Sequence, residues 1–250
     1  MDMNKLWKFY RVRLDFTTSL CGSTPGDKEL IRPWLEARKP RVRPPGGMSI
    51  DEIQEEVFAS LPEEEPEFSF LVFQRNPENG TNLVVRAATI RAHMKDCSRK
   101  ISSHIGKVEK QSSFATKVKN YVYPDENVYW VPVLRPDGSP VTEPDGKREK
   151  PIHVTDTSGR PQNALKAFEF VKPARIDFDL KVFCLGKEAV PIQDLETLFY
   201  YGGVHGYSGE RSDGEGKYIF SITPVTEHES KPMPRTRGRA GRGQREHALT

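Results

Sequence analysis

The sequence predicts an α+β domain with a ferredoxin-like, split βαβ core. Three observations predict it. Two stretches alternate with period two: in "LWKFYRVRLDF" Leu6, Tyr10, Val12, Leu14 and Phe16 share one side, and in "ARIDFDLKVFCL" Ile176, Phe178, Leu180 and Val182 do. A third stretch, "ATIRAHMKDCSRKISSHIGKV", places Ile90, Met94, Cys97, Ile101 and Ile105 at helical steps. With intervening segments set aside, the elements run strand, helix, strand, strand, helix, strand. Such an antiparallel sheet carries both helices on one face and leaves the other face free.

Each element has its own local reason. The first strand turns its apolar residues to the core, and its opposite face, with Arg11 and Arg13 after Trp7 and Phe9, reads as half-exposed and basic. From Thr17 to about Pro66 the chain is interrupted by "CGSTPGD", "RKPRVRPPGG" and "LPEEEPE". One helix is predicted inside: Ser49 caps "DEIQEEVFASL", with Ile50, Ile53, Val57 and Leu61 near helical spacing and Asp51 and Glu52 at its positive end. "FSFLVFQR" and "TNLVVRA" read as strands around the turn "NPENG". Residues 18–86 together read as an insertion after the first strand.

The helix that follows has Arg91, Lys95, Arg99 and Lys100 on its polar side, and Lys107, Lys110, Lys117 and Lys119 come after it. "NVYWVPVL" is the next strand. Two Pro-Asp-Gly turns then open a polar stretch, and residues 134–167 read as a projecting hairpin. After the strand around Ile176, "IQDLETLFYY" puts Leu195, Leu198 and Phe199 on one side of a short helix, which Gly202-Gly203 should stop. "GKYIFSIT" closes the sheet. A single domain over 1–224 results, followed by a disordered Arg/Gly/Pro tail over 225–250.

Composition narrows the function classes. Apolar residues make up 36% of the chain, below a globular norm of roughly 45–50% that also counts glycine, and the 20 prolines favour irregular connections. The net charge of +3 divides unevenly: residues 231–250 carry six basic side chains and one acidic, leaving 32 basic and 34 acidic elsewhere. Cys21, Cys97 and Cys184 lie too far apart for metal-ligand spacing or a disulfide framework, which suits a reducing, cytoplasmic setting. No apolar run approaches the roughly 18–20 residues of a membrane span. The charged, alternating N-terminus is not a signal peptide. No metal and no cofactor is expected.

The most pointed stretch is "YYGGVHGYSGERSDGEGKYIF", with six glycines between Tyr200 and Phe220. Glycine reaches positive φ and has no side chain to hold a phosphate away from backbone N–H groups. Arg211 and Lys217 add charge, and His205 or Tyr207 can stack on a base. The stretch is not a P-loop, since no GK[ST] follows. The plainer alternative is an ordinary helix–strand connection with turn glycines. For Arg91, Lys95 and Arg99 the plainer alternative is a solvated helix face, although Asp96 is the single acid from Ile90 to Val108. The "RTRGRAGRG" tail binds nucleic acid without sequence preference or simply solubilises the chain.

The glycine-rich stretch sits between the second helix and the last strand of the split βαβ unit. In that placement it is similar to the glycine-rich loop of the RAMP superfamily, the RNA-binding subunits of CRISPR effector complexes. "RVRLDFTTSLCGS", "IRAHMKDC" and "ARIDFDLKV…LETLFYYGGVHGYSGERSDGEGKY" also resemble a group of short phage proteins with the same loop. The resemblance covers about three-fifths of the chain and rests on glycine spacing plus position. It implies binding of single-stranded RNA or DNA near the backbone, self-association or assembly with other RAMP-type subunits, and a role for Gly202, Gly203, Gly206, Gly209, Arg211, Gly214 and Gly216.

The expectation is therefore a non-catalytic protein that binds through Arg11, Arg13, Arg91, Lys95, Arg99 and the loop residues Gly202, Gly203, His205, Gly206, Tyr207, Gly209, Arg211, Gly214, Gly216 and Lys217. The alternatives are a metal-independent endoribonuclease using His205, and a structural or inhibitory phage protein that reuses the fold. Some RAMP relatives cut with an aspartate after the first strand. Asp27 lies in a comparable region, but the match is too loose to carry over. Asp177 and Asp179, which alternate on one strand, read as an exposed face rather than a Mg²⁺ site.

Overall fold

A computed structural model of the chain describes residues 6–37, 49–61, 70–77, 80–105, 114–124, 129–155, 159–185 and 187–225. The elements are β1 (Trp7–Phe16), β2 (Leu20–Cys21), β3 (Thr24–Pro25), α1 (Lys28–Ala37), α2 (Ile50–Ala59), β4 (Phe70–Val72), β5 (Gln74–Arg75), β6 (Leu83–Arg86), α3 (Ala87–Ile105), α4 (Phe114–Tyr121), β7 (Val122–Pro124), β8 (Trp130–Leu134), β9 (Gly146–Thr155), β10 (Pro161–Val171), β11 (Ala174–Leu185), β12 (Lys187–Glu188), α5 (Ile192–His205), a 3-10 turn at Arg211–Asp213, and β13 (Tyr218–Val225). The protein is a mixed α+β structure.

The larger sheet runs β13-β1-β11-β8-β6-β5, with β7 and β12 also on β11. β1 is interior to it. It pairs antiparallel with β11 over ten residues, from Trp7↔Phe183 to Phe16↔Ala174, and with β13 from Phe9↔Val225 to Phe16↔Tyr218. Alternation decides what each face does. Tyr10, Val12, Leu14 and Phe16 of β1 and Ile176, Phe178, Leu180 and Val182 of β11 are all buried. They join one core with Ile90, Met94, Cys97 and Ile101 of α3 and Leu195, Leu198 and Phe199 of α5. Both helices thus cover the same face of the sheet. The opposite face shows Arg11 and Arg13 to solvent.

The second sheet is ordered β2-β10-β4-β3, with β9 beside β10. β9 and β10 form a long hairpin, paired from Pro161↔Thr155 to Gly146↔Phe170. α1 and α2 pack over a smaller core of Ile31, Val57, Leu61 and Val72. α2 begins at a capping box: Ser49 accepts from the Glu52 backbone N–H, and the Glu52 carboxylate accepts from that of Ser49. The strand expectations around "NPENG" correspond to β4, β5 and β6, with Gln74↔Val84 and Arg75↔Leu83 paired.

Three features differ from the sequence expectation. α1 was unread because Pro33 lies inside it. Burial of Ile31 and packing of Leu35 against α2 outweigh that break. α4 and β7 were also unread; Phe114, Val118 and Val122 anchor them in the main core. Most informative, α5 does not stop at Gly202-Gly203 but runs to His205. Both glycines are buried against β13. A Cβ at Gly202 would stand 2.1 Å from the Tyr218 hydroxyl oxygen, and one at Gly203 would stand 2.3 Å from the Tyr218 carbonyl oxygen. Close helix–strand contact offsets the ~1 kcal/mol that each glycine costs a helix.

Asp27 is a helix-start residue: its Oδ1 accepts from the Glu29 N–H at 2.8 Å. None of the three cysteines forms a disulfide, and all three are buried. Burial pushes the Cys21 and Cys97 thiols up to about 12. Among the described residues no helix is long and apolar enough to cross a membrane. Val225, where the expected tail begins, is the last residue of β13; the rest of that tail, Lys107 and Lys110 lie outside the described residues.

Candidate nucleic-acid interface

The glycine-rich stretch is a built structure rather than an open cradle. Gly206, at φ 87°, ends α5 and returns its N–H to the Gly202 carbonyl. The chain then folds back on itself: Tyr207 N–H donates to the Gly216 carbonyl at 2.8 Å, and Gly216 N–H donates to the Ser19 carbonyl at 2.9 Å. Gly216 must be glycine on two counts. Its φ is 72°, and an added Cβ would lie 1.9 Å from the Tyr207 carbonyl oxygen. Four of the six glycines are therefore occupied by protein contacts. Gly209 is exposed, and Gly214, at φ 81°, has open space around it.

The side chains of this stretch also point inward. Tyr207 is 3% exposed, and its hydroxyl lies 2.7 Å from Thr89 Oγ1. Stacking on a base is closed to it in this conformation. His205 stacks on Tyr201 with ring centroids 5.5 Å apart. Its Nε2 lies 3.2 Å from Asp96 Oδ2 and 3.0 Å from Arg211 Nη1. Arg211 in turn donates to Asp96 at 2.7 Å. Burial alone would raise the Asp96 carboxyl, but hydrogen bonds from Arg211 and His205 outweigh it and hold it below the usual range. This trio ties α3 to the loop and engages the nitrogen a general base would use. Lys217 keeps an exposed side chain while its backbone bonds Thr17 and Thr18.

The loop's carboxylates are taken by the hairpin. Glu210 is 1% exposed, and its two oxygens lie 2.5 Å from Lys150 Nζ and Lys166 Nζ. Lys150 also pairs with Asp213, and Arg148 lies 2.5 Å from Glu215. Burial would raise the Glu210 carboxyl, but the two lysines keep it lowered, and Lys150 is raised in return, chiefly by Asp213 and Glu210. Lys150 and Lys166 are direct cross-strand partners. Two like charges so placed repel unless an acid sits over both, and Glu210 is that acid. These residues were not anticipated from the sequence, because only the strand register brings them together.

The open sheet face is less basic than expected. Arg11 makes a two-pronged contact with Asp179, at 2.9 and 3.1 Å, and Arg13 lies 3.3 Å from Asp177. Asp177 also receives Arg175 at 3.1 Å. The register Arg11↔Asp179 and Arg13↔Asp177 sets each arginine beside a carboxylate. Charge on this face is largely balanced.

The helix cations are arranged differently. Arg91 lies 4.4 Å over the Tyr123 ring and donates to the Lys119 carbonyl at 3.2 Å, which joins α3 to α4 and β7. Arg91, Lys95 and Arg99 follow one another at four-residue steps along α3, and Lys119 comes from α4. Among the described residues Lys95, Arg99, Lys100 and Lys119 make no ion pair. The Lys95 ammonium is held below the usual lysine range, first by burial and then by Arg91, Lys119 and Arg99. Asp96, the one acid of α3, faces the glycine stretch and is already engaged. Among the described residues, the seam between α3 and α4 is thus a concentration of positive charge without matching carboxylates.

No protein-family model and no curated protein matches the chain. Among solved structures it is similar to a chain of a type IV-B CRISPR complex, at 11% identity and a TM-score of 0.43, over 90% of this chain and 95% of that one. It is also similar to a chain of the type III-B Cmr-beta complex bound to cognate target RNA, at 9% identity and a TM-score of 0.36. That second match covers 89% of this chain and spans 62% of the other.

Proposed function

We propose that the protein is a non-catalytic, single-stranded nucleic-acid-binding subunit of a CRISPR-like ribonucleoprotein, built on a ferredoxin-like core. The observation that carries the binding is the α3–α4 seam, where Arg91, Lys95, Arg99 and Lys119 gather without a carboxylate partner among the described residues. Crowded cations raise one another's energy, and a phosphate backbone relieves that repulsion while releasing counterions. The strand order β13-β1-β11-β8, antiparallel throughout with α3 and α5 on one face, supports the core assignment. In this reading Arg11, Arg13, Gly209, Gly214 and Lys217 are peripheral contacts. Gly202, Gly203, Gly206, Tyr207 and Gly216 shape the loop that holds α3 in place.

The test is fluorescence anisotropy with labelled single-stranded RNA and DNA of mixed sequence, over a series of salt concentrations. Binding should be indifferent to sequence, and log affinity should fall linearly with log salt. The double variant Lys95→Glu with Arg99→Glu should abolish it at moderate salt while the thermal midpoint is kept. Unchanged affinity in that variant would remove the seam from the interface and the proposal with it.

A further inference from the structure

A second site lies where the glycine stretch meets the start of α3. A pocket there is lined by Ser23, Thr24, Gln74, Arg86, Thr89 and Ser208, together with Tyr207 and apolar neighbours. No lining residue carries a carboxylate. Arg86 is 9% exposed, and its Nε is buried without a hydrogen-bond partner. Its contacts are the Tyr129 hydroxyl, which receives Nη2, and the Tyr129 ring, 5.1 Å from the guanidinium carbon. A guanidinium stays charged at any ordinary pH, and a buried charge is costly unless it is paired. Folding has nonetheless enclosed this one, and among the described residues a phenol is the one polar side chain that receives it.

Two further observations mark the same place. Ser208, at φ 76°, is the one non-glycine residue with positive φ among the described residues. Strain of that kind collects at ligand sites. Ser208 Oγ donates to the Cys21 carbonyl at 2.8 Å, which fixes the strained residue over the pocket. Thr89 Oγ1 donates to the Arg86 carbonyl at 2.7 Å, so the residues at the start of α3 are bound to one another. Further hydroxyls in the lining come from Ser23, in the β2–β3 turn, and Thr24, at the start of β3.

We infer that this pocket binds a phosphate group, held by Arg86 and by the Ser23 and Thr24 hydroxyls, since those of Ser208 and Thr89 already donate to carbonyls. A guanidinium presents parallel N–H donors matched to two oxygens of one anion, and phosphate has further oxygens for the hydroxyls. The site is distinct from the α3–α4 seam, which lies on the other flank of α3. The phosphate is free or is the terminal phosphate of an oligonucleotide.

The experiment uses the full chain in chloride buffer. Thermal midpoints are measured with inorganic phosphate, sulfate, acetate and added chloride at matched ionic strength. Phosphate should raise the midpoint by on the order of 5 °C, acetate and chloride by far less, and Arg86→Gln should erase the difference. If Arg86→Gln does not fold, ³¹P line broadening of inorganic phosphate by the wild-type protein decides instead. Displacement by sulfate but not acetate supports the site. A phosphate response equal to that of acetate, or an undiminished response in Arg86→Gln, overturns the inference. Oligonucleotides with 5′-phosphate, 3′-phosphate or hydroxyl ends then fix the source. Several-fold tighter binding of one phosphorylated end assigns a terminal phosphate, and equal binding of all three beside a phosphate shift assigns the free anion. Because hydroxyl-ended strands and the seam variants are read separately, failure here and failure of the seam proposal are told apart.

Discussion

Arginines on the sheet and cations on the helices look alike in the sequence and are treated in opposite ways by the fold. Arg11 and Arg13 each meet a carboxylate on the adjacent strand, because the β1–β11 register sets Asp179 and Asp177 beside them. Among the described residues Lys95, Arg99 and Lys119 meet none. The hairpin repeats the first pattern at higher stakes, with Lys150 and Lys166 sharing a buried Glu210. A charge matched within the fold is largely used up by the fold. An unmatched one is available to a ligand.

That contrast can be broken in several ways. The largest effect should come from Glu210→Ala, which removes the acid shared by two opposed lysines and leaves Lys150 with Asp213 alone. Breaking a buried pair typically costs roughly 3–5 kcal/mol. Urea unfolding should show that loss, while nucleic-acid affinity of the folded fraction stays the same; a midpoint within error of wild type would show that the hairpin contact does not support the fold.

The matching experiment on the seam should move affinity and spare stability. Replacing Lys95, Arg99 and Lys119 by alanine should lower the salt slope on single strands by about 2, at roughly 0.7 per phosphate contact. Anisotropy titrations over a salt series measure it, and an unchanged slope would refute the contrast from the other side.

Acid sharpens the comparison through His93. This ring is buried, bonded to the Tyr218 hydroxyl at 2.9 Å and lowered to about 3, first by burial and then by Arg211 and His205. The unfolded chain takes up its proton near pH 6.5 while the folded chain refuses it. The stability His93 contributes is therefore complete above about pH 6.5 and is lost as pH falls toward 3. Asp96 and Glu210, both held low, add their own losses further into acid. Replacing His93 with Gln should flatten the upper part of this decline in chemical denaturation at stepped pH; an unaltered pH profile would mean that burial of the ring has no thermodynamic weight.

The smallest effect belongs to Arg11→Ala with Arg13→Ala. Exposed pairs contribute about 0–1 kcal/mol, and Asp177 and Asp179 already offset both charges. Affinity should fall by less than in the seam variant. A loss as large as the seam's would make the sheet face the principal surface.

Legibility followed the kind of signal each residue sends. β1, β11 and α3 were readable because apolar period reports directly on which side is buried, and Leu14, Ile176 and Met94 are where that period puts them. α2 was readable from Ser49 and Glu52, a local exchange of hydrogen bonds. The glycines were visible but ambiguous. A missing side chain says that something comes close, and here Tyr218, the Glu215 carbonyl and the Tyr207 carbonyl come close to four of them. The hairpin clamp was invisible, since nothing in "KREK" or "ALKAF" tells that Lys150 will stand opposite Lys166. Arg86 was equally silent: its burial depends on Tyr129 and on a loop more than a hundred residues away.

The Glu210 clamp also bears on how this chain can drift over generations. One buried carboxylate serves two lysines from neighbouring strands, so losing the acid at 210 alone leaves the cross-strand pair without its shared partner, and losing both lysines leaves the acid without either of them. Substitutions at 150, 166 and 210 should therefore travel together among descendants of a common ancestor, with Glu210 exchanged for a neutral residue only where the lysines have gone as well. A related chain that kept the acid at 210 beside two apolar residues at 150 and 166 would contradict this inherited dependence.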